Sequence, residues 1–369
     1  MTSSTQSTLS PEPPESSESC FSHGGENREK PLLSLRGVSQ HFKKTTGWFK
    51  KKTTVVQAVN QVSLDVMPGE VLGLVGESGC GKSTLGRTIL QLLRPTEGEV
   101  WFDGQEISRL SHRELRSVRR DMQMVFQNPY ASLNPRMTIG DTLLEPFAIH
   151  GLYRSVERSQ KVNQLLDKVG LPQSARGRYP HEFSGGQRQR VGIARAIALE
   201  PKLVIADEPV SALDVSVQAQ ILNLLKDLQQ EMGLTLVFIA HNLSVVRHIS
   251  DRVAVMYLGQ LAEVAPVEPL YQTPRHPYTQ ALLSAVPIAD PSQRKRERVL
   301  LQGDLPSPSN PPSGCRFRTR CPYAQPDCEE KAQVLLTESQ EIDNNMAVDH
   351  VVACHHWNAL LPKRLTEEK

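Results

Sequence analysis

The chain has 369 residues, with 42 Lys and Arg against 40 Asp and Glu, a net charge of +2 and 38% hydrophobic residues. That length suggests two domains with extra segments and allows a sizeable core. Balanced charge argues against a broad basic face for duplex DNA, and 5% aromatic content argues against stacking platforms for single strands, so no nucleic-acid partner is expected.

No apolar run reaches the roughly 20 residues of a membrane helix. The first residues lack the basic and apolar regions of a secretory leader. The expectation is a cytosolic protein whose six cysteines are not paired as structural disulfides.

Residues 1–30 are rich in Ser, Glu and Pro and are expected to form a disordered tail. Alternating stretches at 32–42 and 55–66 predict two strands of a hairpin. The basic segment between them, with Lys43, Lys44, Trp48, Phe49 and Lys50, reads as a solvated loop. Met67-Pro68-Gly69 marks a turn, and the continuous apolar run 71–75 predicts a parallel strand covered on both faces.

That strand is followed by Gly76-Glu77-Ser78-Gly79-Cys80-Gly81-Lys82-Ser83 and Thr84, which matches a phosphate-binding loop. Glycines let successive N–H groups face the phosphates, and the following helix, with Leu85, Ile89 and Leu92 on its apolar face, aims its positive end there. Lys82 is expected on the β- and γ-phosphates and the Ser83 hydroxyl on Mg²⁺. Cys80 is a small residue that fits the loop. Because a helix N-terminus lowers a thiol pKa, fast alkylation, blocked by MgATP, is expected there.

Residues 113–195 read as mostly helical, broken by a loop at 127–136. Within them Phe183-Ser184-Gly185-Gly186-Gln187-Arg188 opens a helix and forms a second anion site, although one γ-phosphate needs only one. The apolar strand 203–206 ends in Asp207 and Glu208. The first acid suits a carboxylate beside Mg²⁺, and the second suits a general base that polarises water. Val217, Ile221, Leu224, Leu225 and Leu228 fall at helical spacing over 215–232, and 234–240 is another buried strand. Strand–helix–strand alternation predicts an α/β core.

After Tyr271 the prolines accumulate, and Cys315, Cys321, Cys328 and Cys354 follow, which suggests a small appended domain. Four thiolates suit an iron–sulfur cluster or zinc, and free thiols remain the third reading. Arg316, Arg318 and Arg320 are placed to offset thiolate charge. His355 and His356 are spare ligands, expected at the surface.

Taken together, the phosphate loop, the Ser184–Gln187 signature and the loop from Asp207 to Asp214 resemble the ATP-binding cassette of ABC transporters. In that family the signature of one subunit closes on ATP held by the phosphate loop of another. The rest of the family's set occurs in order: Gln127 in the lid loop, Asp214 in Ser211-Ala212-Leu213-Asp214, and His241 after the strand 234–240. The resemblance implies an α/β fold with a P-loop NTPase (RecA-like) core, an antiparallel β subdomain and a helical subdomain over about 129–200. It implies an ATPase domain at 31–270 and a small cysteine-containing C-terminal domain at 271–369. Lys82, Gln127, Glu208 and His241 would be catalytic, and Ser83, Gln127 and Asp207 would hold Mg²⁺. Residues 76–84, Gln127 and Asp207, with Ser184, Gly185, Gly186, Gln187 and Asp214 from the signature and its loop, would bind nucleotide. Phe42 would stack on adenine, with Trp48 as the second choice.

The strings at 126–135 and 276–283 are similar to the dipeptide/oligopeptide permease subfamily, and within it to the F-type ATPase subunit. This implies a heterodimer with a D-type ATPase subunit under two membrane permeases, fed by a periplasmic binding protein, at the cytoplasmic face of the inner membrane. Di- or oligopeptides are the expected cargo, with nickel or glutathione as alternatives. Relatives with similar C-terminal cysteines imply a [4Fe–4S] cluster at Cys315, Cys321, Cys328 and Cys354. A soluble ABC ATPase of DNA repair fits less well. The interval between phosphate loop and signature is roughly a hundred residues, without the sustained heptads of a long coiled coil.

Overall fold

A computed structural model describes residues 30–46, 52–286, 301, 303–336 and 350–360. The alternating stretches form the hairpin of β1 (Leu33–Thr46) and β2 (Lys52–Val66), in which Leu33 pairs with Val66 and Leu35 with Leu64. Both strands run further into the basic segment than the alternation implied, and Trp48 lies outside the described residues. β3 (Val71–Val75) is buried throughout, as its unbroken apolar run requires.

α1 (Lys82–Ile89) is shorter than its apolar pattern implied, and Leu92, beyond its end, is exposed. The chain then returns as β4 (Glu97–Phe102) and β5 (Gln105–Glu106), completing an antiparallel sheet of order β2-β1-β4-β5.

α2 (Leu115–Asp121) leads straight into β6 (Met122–Val125). This strand corrects the helical reading of 113–195. Four residues show no period of their own, and pairing with a buried neighbour decides their conformation. α3 (Pro129–Ser132), capped by the Asn128 side chain, likewise occupies part of the stretch read as loop. The helical layer consists of α4 (Ile139–His150), α5 (Ser155–Lys168) and α6 (Gly185–Ile197). It is held by Leu143, Phe147, Val162, Leu166 and Val191, all buried in one core.

The chain re-enters the main sheet at β7 (Leu203–Asp207) and crosses through α7 (Val215–Met232) to β8 (Thr235–Ala240). α7 has the predicted bounds, buries Ile221, Leu225 and Leu228, and stops at Gly233, whose φ of 62° closes the helix in the left-handed conformation. α8 (Leu243–Ile249), β9 (Arg252–Tyr257), β10 (Gln260–Pro266), α9 (Val267–Gln272) and α10 (Pro277–Ser284) follow. β11 (Val351–Val352) and α11 (Trp357–Leu360) end the described chain.

The main sheet has the order β11-β10-β9-β3-β8-β7-β6. From β9 to β6 all neighbours are parallel, while β10 and β11 add on antiparallel. Side chains of β3 alternate between two cores. Leu72 and Leu74 join Leu33, Leu85 and Ile239 beneath the smaller sheet. Val71 and Val75 join Phe147, Val191 and Phe238 beneath the helices. The carboxyl ends of β3, β8, β7 and β6 therefore open side by side on one edge, where parallel sheets bind ligands.

Residues 303–336 have little regular structure and dock on the core. Phe317 packs edge-on against Tyr257 at 5.2 Å between ring centroids. The Arg316 guanidinium donates to the Leu258 carbonyl and to Gln57 Oε1, each at 2.5 Å. From Pro31 onward the described residues pack as one unit. Among them no helix is long and apolar enough to cross a membrane.

Candidate functional site

The loop between β3 and α1 has the geometry expected of a phosphate cradle. Gly81 sits at φ 108°, and a Cβ there would lie 2.0 Å from the Ala58 carbonyl oxygen, so only glycine fits. Lys82 is buried, and its ammonium donates to the carbonyls of Gly76 (2.8 Å) and Glu77 (3.0 Å) inside the loop. The Ser83 hydroxyl donates to Asp207 Oδ1 at 2.7 Å, which brings the end of β7 against the start of α1. A hydroxyl and a carboxylate side by side fit a magnesium ion that keeps several waters. Burial pushes the Asp207 carboxyl up, an effect opposed by the Ser83 hydrogen bond and by Arg87.

Glu208 follows at the strand end with φ 45°, in the left-handed region that a non-glycine residue rarely adopts. Its N–H donates to the Ile239 carbonyl of β8 at 3.0 Å, which holds this conformation. Its Oε2 accepts a hydrogen bond from Gln127 Nε2 at 2.8 Å and lies 3.5 Å from His241 Nδ1. Gln127 comes just after β6 and His241 just after β8. Four neighbouring strand ends thus deliver Lys82, His241, Asp207 with Glu208, and Gln127 to one edge.

Ser184 caps α6 in a reciprocal box: its hydroxyl accepts from the Gln187 N–H, and Gln187 Oε1 accepts from the Ser184 N–H. Gly185 and Gly186 pack on Leu213 and Val217, so the signature is braced by the loop and helix after Glu208. Asp214 is the exposed N-cap of α7 and caps no backbone N–H with its side chain. Phe42 pairs with Val56, two residues before Ala58, and is 40% exposed.

Two expectations are corrected. Cys80 is buried beneath the loop, and burial pushes its thiol up despite the neighbouring Lys82, so it is not the reactive thiol that its helix position suggested. Two of the three arginines near the cysteines are engaged elsewhere, whereas Arg318 lies close enough to favour the Cys315 thiolate. Arg316 holds Leu258 and Gln57, Arg318 pairs with Glu329 at 2.9 Å, and Arg320 pairs with Glu77 at 2.8 Å. The Arg320 contact and the bond from the Glu77 N–H to the Tyr278 hydroxyl (2.9 Å) escaped sequence reasoning. Contacts spanning more than 200 residues leave no local period or spacing to read.

Cys315, Cys321, Cys328 and Cys354 are unpaired and only partly buried. Burial pushes the Cys321 thiol up to about 12 and the Cys354 thiol to about 11, and nearby cysteines add to both shifts. No three of these four sulfurs converge within 4.8 Å, whereas Asp327, Cys328 and His356 do. A tetrahedral zinc with bonds of 2.3 Å needs sulfurs about 3.8 Å apart, which the four do not meet. A four-iron cube holds its thiolates farther apart than zinc does. His355 is exposed and bonded to the Ala332 carbonyl, and His356 pairs with Asp327 at 2.9 Å.

The ABC transporter family pattern matches residues 59–211, and the C-terminal region of oligopeptide/dipeptide transporters matches 262–328. The chain is 56% identical over 332 residues to the oligopeptide transport ATP-binding protein AppF of Bacillus subtilis, covering 89% of this chain and 98% of that protein. It is 54% identical over 310 residues to oligopeptide transport ATP-binding protein OppF of Escherichia coli K12, covering 83% and 93%. Among solved structures it is similar to a dimeric ATP-binding cassette in a post-hydrolysis state with ADP and Pi bound. That match has a TM-score of 0.57 and 31% identity, and covers 64% of this chain and 99% of that one. With a phosphate cradle after β3, an acid pair at the end of β7 and both family patterns in order along the chain, the chain belongs to the ATP-binding proteins of ABC transporters.

Proposed function

We propose that the chain is the ATP-hydrolysing subunit of an importer that takes up di- or oligopeptides. It works beside a D-type ATPase subunit, beneath two membrane permeases fed by a periplasmic binding protein, at the cytoplasmic face of the inner membrane. The observation that carries the reading is the meeting of Ser83 with Asp207, and of Glu208 with Gln127 and His241, on the same sheet edge as Lys82.

In this reading Lys82 turns from the loop carbonyls to the β- and γ-phosphates of ATP. Mg²⁺ held by Ser83 and Asp207, with Gln127 nearby, supplies positive charge against the charge that builds on the transferring phosphoryl group. Glu208 accepts a proton from the water whose oxygen attacks the γ-phosphorus, releasing ADP and phosphate. His241 donates to the γ-phosphate and steadies Glu208. Ser184, Gly185, Gly186 and Gln187, with Asp214 beside them, face the nucleotide of the other ATPase subunit. Phe42 stacks on adenine, supported by its exposure and by its place on the strand pair beside Gly81.

A cleft of about 690 Å³ lies between the β6 side of the sheet and the helical layer, with Gln127 and Asp207 among its lining. Its rim exposes Leu92, Phe126 and Ile149, and apolar groups gathered in this way mark an interaction site. It is suited to a short helix of a permease, whose movement would then follow the γ-phosphate through Gln127.

The four C-terminal cysteines are proposed to hold a structural [4Fe–4S] cluster. Iron and sulfide analysis with a visible spectrum of anaerobically purified protein tests this. Four irons per chain are expected, and iron-free protein with reactive thiols refutes it.

The function is tested by reconstituting the ATPase pair and permeases in vesicles, with the periplasmic binding protein, labelled dipeptide and MgATP. ATP-dependent uptake that is lost in Glu208→Gln is expected. Hydrolysis without peptide uptake would overturn the cargo, and absent hydrolysis would overturn the catalytic reading.

A further inference from the structure

Glu77, the second residue of the phosphate loop, is held at every polar group. Its N–H donates to the Tyr278 hydroxyl at 2.9 Å. Its carbonyl accepts from Lys82 Nζ at 3.0 Å and from the Cys80 N–H at 3.2 Å. Its carboxylate receives two bonds from Arg320, Nη1 to Oε2 at 2.8 Å and Nη2 to Oε1 at 3.1 Å. Two of these partners, Tyr278 and Arg320, come from the chain beyond the ATPase core.

Most surface ion pairs contribute little. This one differs in three respects. It is bidentate, which only a guanidinium fork allows. Its Arg320 side chain is only 9% exposed, against 28% for Glu77. Arg320 is also rigidly carried: Phe317 beneath it packs with Tyr257 and Tyr278, and Arg316 bonds to the Leu258 carbonyl. Without the arginine, the Glu77 carboxylate would stand free on a loop that must accept three phosphates, and its repulsion would act on the ground state and the transition state alike.

We propose that Arg320, carried on the cysteine-bearing C-terminal segment, is a positioning residue of the nucleotide site. It pins and neutralises Glu77 so that the loop's N–H groups and Lys82 face the phosphates. It touches no substrate and acts through Glu77. Its contribution is to nucleotide affinity, not to the chemical step, because the pair is the same before and after hydrolysis. The inference rests on residues 76–84 being the ATP site.

The test measures binding of a fluorescent ATP analogue with Mg²⁺ to the full-length chain, and KM and kcat for MgATP in the assembled ATPase pair. Arg320→Gln is expected to weaken binding about tenfold and raise KM equally, with kcat changed less than about twofold. Arg320→Lys, which keeps the charge but loses the fork, should lose about threefold. The double variant Glu77→Gln with Arg320→Gln should recover affinity to within about threefold of the unaltered chain, because no carboxylate remains to oppose the phosphates. A merely structural role would not produce that recovery. Should Arg320→Gln not fold, Arg320→Lys and the double variant decide the matter. Unchanged binding in Arg320→Gln or Arg320→Lys, or a double variant no tighter than Arg320→Gln, overturns the proposal. Failure of the unaltered chain to bind the analogue would instead overturn the nucleotide site itself.

Discussion

The sharpest perturbation of the chemistry is Glu208→Gln. The side chain is 15% exposed, and its Oε2 lies 2.8 Å from Gln127 Nε2 and 3.5 Å from His241 Nδ1. Glutamine has the same shape and keeps an oxygen that can accept the Gln127 N–H. The backbone at φ 45° is held by the bond from residue 208 to Ile239, which the substitution leaves intact. Packing and nucleotide binding should therefore survive, and what is lost is the group that accepts the water's proton. General-base contributions run to about 10²–10⁴ in rate, or roughly 2.7–5.4 kcal/mol at about 1.36 kcal/mol per decade. The neighbouring imidazole of His241 is 56% exposed and pointed at the same carboxylate, so it is poorly placed to take over. The loss should thus be at least a hundredfold. The assay is steady-state phosphate release by the ATPase pair, with the partner's own catalytic carboxylate replaced so that only this site turns over. Nucleotide retention is measured in parallel. Turnover within tenfold of the unaltered chain, with nucleotide bound, would remove Glu208 from the role of base.

Three further outcomes follow from packing and burial. A Cβ at Gly186 would lie 2.5 Å from Val217 Cγ1, so Gly186→Ala should destabilise the seat of the signature helix by about 1–3 kcal/mol. Adding Val217→Ala should recover most of that in a thermal melt, and an unshifted melt in Gly186→Ala would show the contact to be loose. His276 is buried, and burial lowers its pKa to about 4, below the ordinary value of 6.5. The unfolded chain then binds the proton and the folded one does not. Stability should fall as pH drops from about 6.5 to about 4, by roughly 3 kcal/mol at about 1.36 kcal/mol per unit, and His276→Asn should flatten that slope in denaturant titrations. A slope unchanged in His276→Asn would assign the acid sensitivity elsewhere. Cys80 should resist maleimide at pH 7 with or without MgATP and label only on unfolding, as read by mass spectrometry; rapid labelling of the native chain would contradict its burial.

Much of the site was legible before any coordinates. The loop from Gly76 to Thr84, the acid pair Asp207–Glu208, the Ser184–Gln187 signature and the helix Val215–Met232 each carry their information in adjacent residues or in one helical period. Phosphate cradles, strand-end acids and amphipathic helices are built from local geometry, so the sequence by itself determined the α/β class and singled out the residues proposed to bind phosphate. The short strand Met122–Val125 and the early end of the helix at Ile89 were not legible, because a neighbouring strand or packing surface decides them. Only the tertiary structure decided that four parallel strand ends lie side by side, that Glu208 meets both Gln127 and His241, and that burial silences the Cys80 thiol. Only it placed Arg320 on Glu77, across 243 residues of chain. Such contacts depend on which surfaces the cores bring together, and burial and charge act through space, where distance along the chain carries no weight.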